Sequence, residues 1–107
     1  MDISVLGVRY DLKECSKNDP DFPENCDGYT DTSTKECVVE EMKEHELGMK
    51  KDLNYYKKKV KRHELIHSFL YESGLDVCCD WVCEEMVDWL AIQFPKLQKA
   101  FEEAGCL

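Results

Sequence analysis

The sequence predicts a single α+β domain in which a small three-stranded antiparallel sheet is followed by helices. Two observations predict this order. Up to about residue 42, short apolar runs with partial alternation are separated by turn-forming residues; from about Leu53 the apolar positions repeat with the helical period. A length of 107 residues suits one domain and no more.

The strands are expected in the first part of the chain. Residues 3–10 are rich in Val, Ile and Leu, which predicts a first strand. Residues 16–28 contain two prolines and an Asp-Gly pair, which predicts a loop. A hairpin then follows, in which Tyr29 starts one strand, residues 31–35 form the turn and residues 36–42 form the other strand.

The helices are expected after residue 52. Apolar residues and one histidine recur at three- and four-residue spacing, which predicts a helix that stops at Ser73-Gly74. A second helix is expected at about residues 80–94. Pro95 suits the first turn of a helix, so a further short helix is expected from there to about Glu103.

Charge and composition narrow the class of protein. The net charge is −9, from 23 acidic and 14 basic residues, which argues against nucleic acid as a partner. The basic run at residues 57–62 is expected to be a solvated helix face. The start of the chain has no basic segment followed by an apolar one, and no stretch approaches the length of a membrane span. A cytoplasmic protein without membrane contact is therefore expected.

The chain contains seven cysteines, at positions 15, 26, 37, 78, 79, 83 and 106. An odd number without a secretory signal is unusual for a disulfide scaffold. Most of these side chains are therefore expected to be reduced thiols, several of them acting as small core residues.

The candidate metal ligands and the candidate catalytic base lie in one motif, His63-Glu64-Leu65-Ile66-His67. Residues four apart lie on one face of a helix, so His63 and His67 can aim two imidazole nitrogens at one point. Zinc accepts imidazole readily, and three protein ligands leave a position for water. Glu64 stands beside the first histidine, where it can take a proton from that water. His45 begins a similar pattern, but Met49 replaces the second histidine, so His45 is expected to be an exposed polar residue.

A third ligand is expected from the predicted second helix. Glu84 and Asp88 are four apart and share a face there. The turn around Gly74 allows the two helices to pack antiparallel, which would return Glu84 to the histidines as a ligand. Asp88 could then accept the N–H of a ligating histidine and hold its tautomer.

His63-Glu64-x-x-His67 followed by Glu84-x-x-x-Asp88 resembles the gluzincin zinc metallopeptidases, over about residues 53–94. The resemblance implies zinc on His63, His67 and Glu84, with Glu64 as catalytic base and Asp88 as the supporting aspartate. Cys83 stands where that family often has Asn, which leaves Glu85 open as an alternative ligand. The segment Glu85-x-x-Asp88-Trp89-Leu90-Ala91 is also faintly similar to the ImmA/IrrE-like peptidases of bacteria and phages.

The resemblance implies a peptide or protein substrate, held in extended form along an edge strand, for which residues 36–42 are the candidate. The family's oxyanion donor usually comes from a further domain. Tyr55, Tyr56 and Tyr71 are possible substitutes here, and a protein partner could complete the cleft.

Two other functions remain open at this point. Cys79 and Cys83 are also four apart, and with His63 and His67 they could form a closed structural zinc site in a binding module. A gluzincin-like fold that binds metal without hydrolysing peptides, and acts as an interaction protein, is the other.

Overall fold

The computed structural model describes residues 1–43 and 51–107. His45 lies outside the described residues. The strands are β1 (Asp2–Val5), β2 (Val8–Cys15), β3 (Gly28–Asp31) and β4 (Glu36–Glu40). The helices are α1 (Leu53–Glu72), α2 (Leu75–Cys78) and α3 (Glu84–Glu103). The α+β class is confirmed.

The sheet has four strands in the order β1-β2-β4-β3, and it is mixed. The strand β2 pairs antiparallel with β1 and parallel with β4, which pairs antiparallel with β3. The expected three-stranded antiparallel sheet is therefore wrong. The single strand predicted at residues 3–10 contains a tight turn, because Leu6 and Gly7 both adopt positive φ, of 49° and 83°. Leucine is an unusual residue for such a turn, so the sequence gives little sign of it.

The edge of the sheet is also not where the sequence suggested. Residues 36–42 were expected to form an edge strand, but β4 ends at Glu40 and lies between β2 and β3. Cys37, Val38 and Val39 are fully buried, as expected for an inner strand. The edge strand on this side is β3.

Helix α1 packs across the sheet and closes the core. One cluster contains Val5, Tyr10 and Cys37, with Leu65 of α1 against it. The other contains Val39, Met42 and Val60. A methyl group at Gly28 would lie 2.9 Å from Val60 Cγ1 and 3.1 Å from Glu64 Cγ. Only glycine therefore allows β3 to approach the middle of α1 this closely.

The carboxylate of Glu72 ties the C-terminal end of α1 to the sheet. The Tyr10 hydroxyl and the Lys35 ammonium donate to the same oxygen, Glu72 Oε2, at 3.0 and 2.9 Å. Lys35 belongs to the β3–β4 turn, and its Nζ also lies 4.9 Å from the centre of the Tyr71 ring. The hydrogen bond from Lys35 lowers the pKa of Glu72, so the ionised carboxylate stabilises this junction.

Replacing Glu72 by Gln is expected to lower the free energy of unfolding at neutral pH. Because the pKa of Glu72 is lower in the folded state, its contribution is present above its unfolded pKa of about 4.3 and is lost as pH falls through the folded value. The difference between wild type and variant, measured by urea denaturation, should therefore shrink below about pH 4. Glu102→Gln, on the exposed end of α3, is the control. If the stability difference between wild type and Glu72→Gln were the same at acid and neutral pH, the stabilising role of the Glu72 carboxylate would be contradicted.

Helix α3 is continuous from Glu84 to Glu103 and contains Pro95. The expected break before Pro95 is therefore wrong, and so is the expected start at residue 80. Proline has no N–H, so the Ala91 carbonyl lacks its helical donor. Arg62 of α1 supplies the missing donor, with its Nε 2.7 Å from the Ala91 oxygen. The helix ends at Glu103, and Gly105 just beyond it forms a glycine cap through its positive φ and its N–H bond to the Glu102 carbonyl.

Arg62→Met is expected to destabilise the protein by about 1–2 kcal/mol, because it leaves the Ala91 carbonyl without a donor. In a Pro95→Ala background the new backbone N–H can bond to that carbonyl, so the same substitution should cost less. A double-mutant cycle of unfolding free energies measures the coupling. Additive effects would show that Arg62 and Pro95 are not linked through this carbonyl.

No helix among the described residues is long and apolar enough to cross a membrane. All seven cysteines are free thiols, of which Cys37 is buried.

Candidate metal centre

Two helices bring three possible metal ligands together. His63 and His67 lie one turn apart on α1, and residues 73–83 reverse the chain so that the first turn of α3 lies beside them. His63 Nε2 is 2.9 Å from Glu84 Oε2, and His67 Nε2 is 2.8 Å from Glu84 Oε1. The two Nε2 atoms are 3.2 Å apart. One donor atom of each residue lies within 4.8 Å of the others, so this group could hold a metal ion.

The chemistry of the three donors fits a metal centre with an open position. Two imidazoles and one carboxylate suit zinc and several other transition metals. The histidine side chains are mostly buried, at 15% and 25% exposure, whereas Glu84 is 73% exposed. The protein therefore surrounds the site from the side of α1 and leaves the other side accessible.

Asp88 contacts Nδ1 of His63, the ring nitrogen that does not face Glu84. The sequence predicted a contact between Asp88 and one of the two histidines. Its Oδ1 atom is 3.1 Å from His63 Nδ1 and 2.9 Å from Lys59 Nζ. The hydrogen bond from Lys59 lowers the pKa of Asp88, so the group is a carboxylate and can only accept. Asp88 can accept from His63 only if Nδ1 is protonated, and that tautomer would leave the Nε2 lone pair available to a metal ion.

Glu64 is buried at 6% exposure and faces the edge strand. The Thr30 hydroxyl of β3 lies 2.9 Å from Glu64 Oε1 and 2.9 Å from the Glu64 carbonyl oxygen. Burial raises the pKa of the Glu64 carboxyl, although the Thr30 hydrogen bond acts in the opposite direction. Thr30 was not predicted as a site residue, because nothing in the sequence distinguishes it from its neighbours in the predicted hairpin.

The other ligands considered from the sequence are not part of this group. Glu85 is exposed and does not line the cleft beside the histidines. Cys79 lies with Cys78, their sulfur atoms 3.9 Å apart, and Cys83 is the exposed residue before α3. Within residues 1–43 and 51–107, the one group of three or more close ligands contains no cysteine. A Cys2His2 centre therefore has no support.

The three ligands open into a cleft of about 630 Å³ between β3, α1 and the start of α3. Its walls carry five carboxylates and one lysine: Asp27, Glu64, Asp76, Glu84, Asp88 and Lys59. Of the three tyrosines considered as donors, Tyr56 and Tyr71 line the cleft, and Tyr55 does not. The Tyr56 hydroxyl already donates its proton to Asp27. The other two tyrosines that line the cleft are Tyr71 and the edge-strand residue Tyr29.

Comparison of the chain with protein-family models, with curated proteins and with solved structures finds no match.

The purified protein is expected to bind about one metal ion per chain. Glu84→Ala should abolish tight binding, since it removes one of three ligands, whereas Glu85→Ala should leave it unchanged. Asp88→Ala should weaken binding by about 10–100-fold, because His63 loses the acceptor that holds its tautomer. Zinc titration with a competing chelator measures all four proteins. Loss of binding in Glu85→Ala, with Glu84→Ala unaffected, would contradict the ligand assignment.

Proposed function

We propose that this protein is a zinc-dependent metallopeptidase whose centre consists of His63, His67 and Glu84. The observation that carries the proposal is the convergence of a His-Glu-x-x-His pair on α1 with a glutamate on α3. The same five positions that resemble the gluzincin motif, including Glu64 and Asp88, line one cleft. Convergence of these residues in space was not required by their spacing in the sequence, so it adds independent support.

Zinc is the proposed metal because two neutral imidazoles and one carboxylate are a common ligand set of catalytic zinc. When bound, zinc would supply Lewis acidity, lowering the pKa of water and polarising a peptide carbonyl. The protein's own contribution starts with His63 and His67, whose Nε2 lone pairs are directed to one point. Asp88 and Lys59 hold His63 in the required tautomer.

Glu64 is the proposed general base. It would take a proton from the attacking water and pass it to the amine of the leaving peptide. Burial raises the pKa of Glu64 above its ordinary value, which favours a group that must both accept and return a proton. Thr30 stabilises the ionised form and limits the directions in which the carboxylate can turn.

The substrate would lie along β3. Among the described residues this strand pairs with β4 alone, so its other side offers backbone N–H and C=O groups to an extended peptide. Gly28 brings β3 against α1 beside Glu64, and Tyr29 and Thr30 line the cleft. Strand β3 thus replaces residues 36–42 as the proposed substrate-binding strand.

Glu64→Gln tests the proposal, because it keeps the size of the side chain and removes the base. Hydrolysis of a mixed peptide library, followed by mass spectrometry, should fall by about 10²–10⁴-fold. Zinc content should stay at the wild-type level, since Glu64 is not a proposed ligand. Glu84→Ala is the matched control and should lose both zinc and hydrolysis. Equal cleavage by wild type and Glu64→Gln would contradict the role of this residue.

A metal-binding interaction protein without peptidase activity is the second candidate. It is favoured by one observation: the Glu64 carboxylate is hydrogen bonded by Thr30 and faces the sheet. On this reading the wild type binds zinc through the same three residues and cleaves nothing in the library.

The proposed substrates carry basic residues. The cleft holds five carboxylates, and its one lysine is bonded to Asp88. Even with a divalent ion bound, the summed charge stays negative and attracts cationic side chains. Asp76 is exposed at this cleft, with no hydrogen bond or ion pair to the rest of the described chain. It is the carboxylate most accessible to a lysine or arginine of the substrate.

Asp76→Asn should lower kcat/KM for a Lys- or Arg-containing peptide by about 5–10-fold relative to a neutral peptide of the same length. The reason is the loss of one charge at short range, so the effect should diminish at high salt. Glu85→Gln removes an equal charge outside the cleft and is the control. An equal loss on both peptides would assign Asp76 to folding or to general binding instead.

A further inference from the structure

Two cysteines outside the candidate metal centre have converging side chains. The Sγ atoms of Cys78 and Cys79 are 3.9 Å apart. Adjacent residues of a regular helix or strand point in different directions, so this convergence needs a local cause. Cys78 is the last residue of α2, and Cys79 has extended φ and ψ angles of −131° and 122°. The backbone thus changes from helical to extended between the two residues, where their sulfur atoms come together.

Both thiols are open to small ligands. Cys78 is exposed, Cys79 is half-buried, and neither is in a disulfide. A disulfide within the pair is disfavoured, because adjacent Cα atoms are about 3.8 Å apart across a trans peptide, whereas disulfide-linked residues are usually separated by about 4.4–6.8 Å. The pair is therefore a dithiol that offers two sulfur ligands side by side.

The surroundings of the pair do not activate a thiolate. Reactive cysteines have a lowered pKa, usually because a cation or a helix N-terminus lies beside them. The hydrogen bond with Cys79 instead raises the pKa of Cys78, and the Cys78 thiol also donates to the Gly74 carbonyl at 2.9 Å. Thiol–disulfide exchange is therefore not favoured here, whereas a soft metal ion can displace the protons of both thiols.

The charge around the pair favours a cation as the ligand. Residues 73–95 contain no lysine or arginine, and they contain five carboxylates. Two of these, Asp76 and Asp80, are exposed and lie within two positions of the pair in the sequence. This local negative charge attracts a metal cation and repels anionic reagents such as oxidised glutathione.

The distance between the sulfur atoms suits a soft cation with few ligands. With metal–sulfur bonds of about 2.3 Å, the observed separation corresponds to an S–metal–S angle of about 116°, close to that of trigonal coordination. Structural zinc takes four protein ligands, but within residues 1–43 and 51–107 no third ligand converges with the pair. Cu(I) prefers thiolate sulfur and is satisfied by two or three ligands.

We propose that Cys78 and Cys79 form a binding site for Cu(I), separate from the proposed zinc centre. On binding, both thiols lose their protons to solvent, two copper–sulfur bonds form, and copper keeps its oxidation state. A small ligand from solution can complete a third position, because Cys78 is exposed. The proposal does not depend on peptidase activity.

The test measures Cu(I) binding by the full chain, reduced and free of oxygen, in competition with the chromophoric chelator bicinchoninate. Cys78→Ser and Cys79→Ser should each weaken binding by more than about 100-fold, which exceeds the usual effect of losing an outer-shell partner. Cys106→Ser removes an exposed thiol elsewhere in the chain and is the matched control, with unchanged affinity expected. Wild-type affinity in either variant of the pair, or an equal loss in Cys106→Ser, would overturn the proposal.

A second measurement separates this site from the zinc centre. X-ray absorption at the copper edge should show sulfur neighbours and no imidazole. Glu84→Ala should lose zinc and keep Cu(I), whereas Cys78→Ser should lose Cu(I) and keep zinc. Imidazole around copper, or loss of Cu(I) in Glu84→Ala, would assign the ion to His63 and His67 and overturn the dithiol site.

Discussion

The close contact between the edge strand β3 and the middle of α1 is the constraint on which the rest of the structure depends. It requires a residue without a side chain at Gly28, because Val60, Glu64 and the Val38 carbonyl occupy the space around it. The contact brings the Thr30 hydroxyl within hydrogen-bond distance of Glu64 and forms one wall of the cleft. A larger residue at position 28 would move the strand, the carboxylate and the wall together.

A second set of contacts aligns α1 with α3, and it is mainly electrostatic. Lys59, Arg62 and His63 are neighbours on α1, and each contacts a side chain or a backbone carbonyl of α3. Lys59 and His63 share Asp88, while Arg62 bonds to a backbone carbonyl further along the helix. Because these bonds are directional, they fix the rotation of α3 about its axis and its position along that axis relative to α1. The separation of the three proposed ligands depends on that alignment.

The sequence predicted the parts of this protein that depend on local periodicity. The extent of α1, its end at Ser73-Gly74 and the common face of His63 and His67 follow from spacing and are found in the structure. The proximity of Glu84 to the histidines and the contact of Asp88 with His63 were also anticipated. The roles of these residues in metal binding and catalysis stay predictions.

What the sequence could not predict depends on contacts between distant segments. Leu6 occupies a turn that normally selects other residues, and the pairing of β1 with β2, together with burial of Val5 against Tyr10 and Cys37, outweighs that preference. Pro95 was expected to begin a new helix because local rules do not include a donor from another helix. Thr30 acquires its partner only through the packing of β3 on α1. Each failure thus has a tertiary contact as its cause.

The bond between Arg62 and the Ala91 carbonyl has a consequence for how this chain can change over time. A lineage that loses Pro95 regains a backbone donor at that position, and selection on Arg62 for this bond then relaxes. A lineage that loses Arg62 first must carry an unsatisfied carbonyl until the proline is replaced. Among natural relatives of this chain, the two positions should therefore vary together, although they are 33 positions apart in the sequence.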